Sequence, residues 1–190
     1  MDIDVPMRSF GNVDMEPLGA AIRAADEAVW NEYVERQKSY EVHEQTRSIV
    51  LLFAGVDHWP EVEISRQPGW ARFADVAVPV MHEIIGKWYP PGGTIIRAMA
   101  AKLMAGGRIV PHRDSHASFR AGHRIHVPIA TNPRVRFMID GRPVRLEVGQ
   151  AYEINNQKVH SVMNKGDTDR IHFIFDYLPP GSKAQARADS

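Results

Sequence analysis

The sequence predicts an α+β fold that is mainly β, with helices flanking an antiparallel barrel or jelly roll. Two stretches of the first half carry apolar residues at helical spacing, and the chain changes character at Pro90-Pro91-Gly92-Gly93. Beyond that break come about eight short strand-like runs separated by turn residues. Helices followed by a block of strands place the helices to one side of an antiparallel sheet structure. With 190 residues, 44% of them hydrophobic, the chain is long enough for one domain with a core of its own. The expected division is a single domain over 1–178, helical over 14–90 and β over 92–178, followed by a mobile tail over 179–190.

In chain order, Leu18, Ala21, Ile22, Ala25, Ala28, Val29 and Tyr33 recur with helical period behind Pro17, which suits a first turn, so a helix is expected over 17–38. Ile49 to Phe53 is a continuous apolar run of strand length. Trp70, Phe73, Ala77, Val80, Met81, Ile84, Ile85 and Trp88 predict a second helix, ended by the Pro-Pro-Gly-Gly segment. Strands are then expected at 94–104, 108–114, 123–130, 134–139, 142–147, 151–154, 159–164 and 170–177. Asp140-Gly141 is a two-residue hairpin signal; Asn132-Pro133, Gly149-Gln150 and Lys165-Gly166-Asp167 are further breaks.

Composition removes several function classes. A formal net charge of +0 gives no basic field to draw nucleic acid or an anionic membrane surface, so neither is expected as a partner. There is no Cys, hence no disulfide framework and no thiolate site, and any metal must be held by His and carboxylate. Met1-Asp2-Ile3-Asp4 is acidic where a signal peptide is basic and then apolar, and no apolar run has membrane-spanning length. The expectation is a cytoplasmic protein. Oligomeric state is not legible.

The chemistry-bearing residues lie in the β half. His112 and Asp114 sit in an extended segment that follows the turn Ala105-Gly106-Gly107, and side chains two apart on a strand face the same way. His160 follows on a later strand. Two imidazoles and one carboxylate on one face of iron(II) leave adjacent positions open, the arrangement of non-heme oxygenases. Arg170 opens the next strand and offers a planar fork to a carboxylate. Its competing reading is a surface ion pair with Asp167 or Asp169. His116, Arg120 and His123 fall between the metal-bearing strand and Arg124, where a solvated loop and a substrate-facing loop fit equally well. Asn155 and Asn156 read as a turn.

The run Leu103-Met104-Ala105-Gly106-Gly107-Arg108-Ile109-Val110-Pro111-His112-Arg113-Asp114 resembles the opening motif of the aspartyl/asparaginyl β-hydroxylase-like family of 2-oxoglutarate- and Fe(II)-dependent oxygenases. Arg124-Ile125-His126-Val127-Pro128, Thr131-Asn132-Pro133, Gly149, His160-Ser161-Val162-Met163-Asn164 and Asp169 to Asp176 follow in the family's order, so the likeness covers about 92 to 178. It implies a double-stranded β-helix (jelly roll, cupin-like) with iron ligands His112, Asp114 and His160, and the far carboxylate of 2-oxoglutarate on Arg170. It further places His126 near the other co-substrate carboxylate and Arg124 facing substrate. The implied activity is a dioxygenase using Fe(II), 2-oxoglutarate and O2 to hydroxylate an unactivated carbon, with succinate and CO2 formed. The implied substrate is an amino acid or an amino-acyl or peptidyl residue, attacked at the β-carbon. Some family members lack a carboxylate at the position of Asp114, so the chain looks more like the small-amino-acid hydroxylases of the family. Ala101 falls where some members carry a serine beside the co-substrate, a role for which Thr94 and Asn164 are the replacements to examine.

Two other classes fit the metal ligands alone: a non-catalytic metal-binding β-barrel that binds or senses a small molecule, and a zinc hydrolase. Arg170 separates the first reading from both, because neither needs a cation one strand beyond its last ligand. Arg124 adds an expectation about the substrate. It shares a strand face with His126, so its charge points to a carboxylate near the hydroxylated carbon.

Overall fold

A computed structural model describes residues 1–32, 45–55, 57–182 and 185–187, and it is a two-sheet sandwich with helices on one outer face. The elements are β1 (Met7–Asn12), α1 (Glu16–Arg23), α2 (Glu27–Trp30), β2 (Thr46–Gly55), β3 (Glu61–Arg66) and α3 (Pro68–Trp88). Then come β4 (Thr94–Leu103), β5 (Arg108–His112), α4 (Ala117–Ala121), β6 (His123–Ala130), β7 (Val135–Ile139) and β8 (Arg142–Val144). The chain closes with β9 (Gln150–Ile154), β10 (His160–Asn164), β11 (Arg170–Leu178) and β12 (Gln185–Arg187). One sheet has eight strands in the order β1-β9-β6-β11-β4-β2-β3-β12, and the other has four in the order β5-β10-β7-β8. Among the described residues every strand pairing is antiparallel except β12 on β3. This is the jelly-roll arrangement expected, with the two sheets not closed into a barrel.

The helices form because each has an apolar stripe to bury. Leu18 and Ile22 of α1 and Phe73, Ala77, Val80, Met81 and Ile84 of α3 pack as one cluster with Ala98, Ala100, Ile125, Val127, Phe173 and Phe175 of the large sheet. At roughly 1.5–3 kcal/mol for each fully buried large side chain, this layer is the main source of stability. Strand alternation then decides the opposite face. With Phe173 and Phe175 turned to the helices, Arg170, His172, Ile174 and Asp176 of β11 turn to the small sheet. The register aligns Asp176 with Arg97 of β4 and Arg124 of β6, and Ile174 with Met99 and His126. A second cluster, including Leu103, Phe137, Ile139, Leu146, Tyr152 and Val162, closes part of the space between the sheets.

Several boundaries differ from expectation for local reasons. The first helix is broken: α1 ends at Arg23, and Asp26 starts α2 by accepting a hydrogen bond from Val29 N at 3.0 Å. Residues 33–38 of the expected helix lie outside the described residues. β1, β3 and α4 arise where no element was expected, and β5 stops at His112, before Asp114. Within the expected tail, Gln185–Arg187 pairs with Glu61–Glu63 as a parallel strand; 183–184 and 188–190 lie outside the described residues. The Asp140-Gly141 turn is as predicted, with φ of 52° and 73° at its two residues, the pair of positive angles that a tight hairpin turn of this hand requires. No helix among the described residues is long and apolar enough to cross a membrane.

Candidate metal centre and co-substrate cavity

Antiparallel pairing of β10 with β5 sets His160 directly across from His112, with ring centroids 4.3 Å apart. Asp114 follows two residues past the end of β5, where its backbone N–H donates to Asn156 O at 3.2 Å and its carbonyl accepts from Gln157 Nε2 at 3.2 Å. The outcome is one ligand atom from each of His112, Asp114 and His160 within 4.8 Å of one another. Both rings are oriented the same way. His112 Nδ1 lies 2.8 Å from Val110 O and His160 Nδ1 lies 3.0 Å from Lys158 O, each a carbonyl two residues back. A ring nitrogen facing a carbonyl must carry the proton, which assigns the metal-facing role to Nε2 in both. Burial outweighs the attraction of nearby Asp114 and holds the pKa of His160 below that of free histidine, which favours the neutral imidazole that metal ligation requires. Nitrogen and carboxylate donors with no thiolate suit iron(II).

At the other end of the space between the sheets lies a cavity of about 340 Å³. Its walls are Val135, Phe137, Val144 and Leu146, and its polar lining includes Thr131, Asn132, Arg170 and His172. Arg170 is 2% exposed and no carboxylate pairs with it among the described residues. Its Nη2 donates to His172 Nδ1 at 2.7 Å, while its Nε is buried without a partner. Burial with no anion pulls its pKa down to about 9. A buried cation with an orphan donor, on the lining of a cavity, fits an anionic group, because leaving a buried charged donor unsatisfied costs several kcal/mol by the usual range. The Asp167 and Asp169 alternative does not occur: Asp169 instead accepts from Ala105 N at 2.8 Å.

His126 lies between the two ends. Its Nδ1 is 3.3 Å from His172 Nδ1, and since arginine can only donate, His172 Nδ1 is the acceptor for both Arg170 and His126. Burial, then Arg170, then His126 hold the pKa of His172 well below the histidine norm, consistent with this purely accepting role. Ala101 stands opposite His172 in the β4–β11 register, so the position of the expected hydroxyl is taken up by a methyl group facing an imidazole. Thr94 pairs with Leu178 at the far end of β4, and Asn164 gives its amide to the carbonyls of Leu103, Met104 and Thr168; neither supplies that hydroxyl. Thr131 lines the cavity instead.

Arg124 has partners the sequence did not foresee. Its Nε and Nη2 reach both oxygens of Asp176 at 2.8 and 2.9 Å, and its Nη1 reaches Asp114 Oδ2 at 2.5 Å. Arg97 adds a contact to Asp176 Oδ2 at 3.4 Å and donates to Ser118 Oγ of α4 at 3.0 Å. Phe119 lies 4.6 Å from each guanidinium. Arg97, Asp176 and His172 were missed as site residues, although their signal was present. Arg170, His172 and Asp176 alternate with Phe173 and Phe175, the pattern of a strand with one polar face turned inward. His123 lies on the other face of β6, its Nδ1 2.5 Å from a Glu153 oxygen, and His116 caps α4 through Ser118 N at 3.1 Å. Arg120 donates to Ser115 O.

The family model for aspartyl/asparaginyl β-hydroxylase matches residues 19–180. The chain belongs to the aspartyl/asparaginyl β-hydroxylase family, and is thus an oxygenase that depends on Fe(II) and 2-oxoglutarate. Three solved structures share the fold at low identity. AviO1 from Streptomyces viridochromogenes Tue57 aligns with a TM-score of 0.58 at 12% identity, over 93% of this chain and 91% of that one. The non-heme alpha-ketoglutarate-dependent carbocyclase SnoK from nogalamycin biosynthesis gives 0.56 at 13%, over 92% and 79%. An oxidoreductase of the 2OG-Fe(II) oxygenase family from Burkholderia pseudomallei gives 0.53 at 14%, over 92% and 95%. Comparison with curated protein sequences gives no match.

Proposed function

We propose that the protein is a hydroxylase of an unactivated carbon, the β-carbon of an amino acid or of an amino-acyl or peptidyl residue, and that the substrate carries a carboxylate. In this reading His112, Asp114 and His160 hold Fe(II), Arg170 holds the far carboxylate of 2-oxoglutarate, and His126 lies toward its other carboxylate. Bound together, metal and co-substrate supply the activation of O2 and the oxidation of the carbon, with succinate and CO2 released. The chain's own part is to place and to exclude. The carbonyls of Val110 and Lys158 fix the two imidazoles, and His172 accepts from Arg170 and fixes the guanidinium. The walls formed by Val135, Phe137, Val144 and Leu146 keep water from the ion pair formed with the co-substrate.

The observation that carries this reading is Arg170, a buried cation with an unpartnered Nε on a cavity lying between the same two sheets as the metal ligands. A metal sensor or hydrolase gives no reason for it. The substrate's charge follows from counting. Fe(II), Arg170, Arg97 and Arg124 together carry one positive charge more than Asp114, Asp176 and a dicarboxylate neutralise, and Arg97 and Arg124 lie on the face that β4, β11 and β6 turn inward. A monoanionic group on the substrate would neutralise it.

The test has two stages. Aerobic protein with Fe(II), ascorbate and 2-oxoglutarate should form succinate slowly without substrate. A panel of amino acids and peptides should then give faster turnover with a product heavier by one oxygen atom. Absence of any 2-oxoglutarate-dependent succinate would remove the oxygenase reading, and a best substrate without an acidic group would remove the charge argument alone.

A further inference from the structure

We infer that Arg124 is a positioning residue for the metal centre: it clamps one oxygen of Asp114 so that the other is presented to the ion, and it is itself held by Asp176 and Arg97. The inference rests on the reading of Asp114 as a ligand. Asp114 lies beyond the end of β5, so only its backbone is pinned, and the side-chain torsions need an outside constraint. Arg124 supplies one. Its Nη1 is 2.5 Å from Asp114 Oδ2, while Asp114 Oδ1 faces His112 Nε2 at 3.8 Å. One oxygen is thus tied back and the other directed at the other ligands.

The clamp is rigid because three of its donors are fixed together. The fork formed by Nε and Nη2 on Asp176 is bidentate, which sets the plane of the guanidinium and so the direction of Nη1. Asp176 is 3% exposed and is braced from the far side by Arg97, which in turn is tied to Ser118 at the start of α4. The ring of Phe119 covers both arginines. The same two arginines hold the Asp176 carboxyl below the usual range against its own burial.

The sign of the expected effect makes the inference testable. A cation this close repels a divalent metal, so an arginine present only to meet substrate would weaken metal binding, and its removal would tighten it. A positioning arginine has the opposite effect. Co(II) serves as the probe, titrated calorimetrically into the metal-free full chain without co-substrate or substrate, with its visible spectrum recorded. Arg124→Gln and Arg124→Lys should each bind Co(II) about tenfold or more weakly than the parent protein, the usual cost of losing a partner that orients a ligand, with an altered spectrum and an unchanged near-ultraviolet circular dichroism. Affinity equal to or tighter than the parent's in Arg124→Gln would overturn the inference. If that variant does not fold, Arg124→Lys decides, since it keeps the charge and loses the fork; parent-like affinity and spectrum there would overturn it. His112→Ala separates the two levels: if it binds Co(II) as the parent does, the metal reading fails and the inference with it, whereas its loss of binding beside unaltered Arg124 variants rejects the inference alone.

Discussion

At the scale of single residues, the site is a set of side chains whose second polar atom has been given a task so that the first is aimed. His112 and His160 each use Nδ1 on a carbonyl, and Asp114 uses Oδ2 on Arg124. Arg170 is the exception, with Nε buried and unpartnered. That incompleteness defines its prediction. Arg170→Ala should raise the 2-oxoglutarate concentration for half-maximal turnover ~30-fold or more, because truncating one partner of a buried charge pair costs roughly 2–5 kcal/mol. Arg170→Lys should fall between, keeping the charge without the planar fork. Co-substrate dependence unchanged in both variants, measured with Co(II) or Fe(II) affinity as a control, would move the dicarboxylate site elsewhere.

At the scale of elements, legibility follows from how local the determinants are. The β6 strand, the Asp140-Gly141 hairpin and the helix ended by Pro90 to Gly93 were readable because period, turn chemistry and breakers all lie within the segment. β1 and β12 were not, since each exists by adding to a sheet edge built from distant sequence, β9 in one case and β3 in the other. The break after α1 depends on Asp26 capping a helix of only four residues, a short-range cue outweighed by the longer apolar stripe. In the candidate site, the grouping of His112, Asp114 and His160 was readable as a motif, and so was Arg170 as a cation opening the following strand. The pairing of Arg97 with Asp176 was not, because it is a matter of cross-strand register between β4 and β11. That pairing also limits substitution where it starts. A Cβ on Gly93 would fall 2.2 Å from Leu178 O and 2.4 Å from the Tyr177 ring, whose hydroxyl bridges Gly93 N and Pro90 O. Gly93→Ala should therefore destabilise the protein by roughly 1–3 kcal/mol, the usual cost of overpacking, in a urea melt. A parent-like midpoint would show that this junction yields without cost.

At the scale of the whole molecule, stability and function are divided between the two faces of the large sheet. The helix side is an apolar layer, while the inner side carries Arg97, Arg124, His126, Arg170, His172 and Asp176. Stability should accordingly depend on pH through the inner face. His172 and His160 both have pKa values depressed by burial, so below the ordinary histidine value the unfolded chain takes up protons that the folded chain does not. Stability then rises with pH across that window and falls on acidification from about 6.5 downward. Asp176 acts with the same sign lower down, its depressed carboxyl contributing above the ordinary aspartate range and losing that contribution as the pH drops through it. Metal-free protein should thus melt at lower temperature at pH 5 than at pH 7.5. In His172→Asn, whose amide oxygen can still accept from Arg170, the difference should shrink, with the His160 share remaining. An unchanged difference in that variant would mean that His172 is not held neutral by its surroundings, and that the acceptor role tying Arg170 to His126 is misassigned.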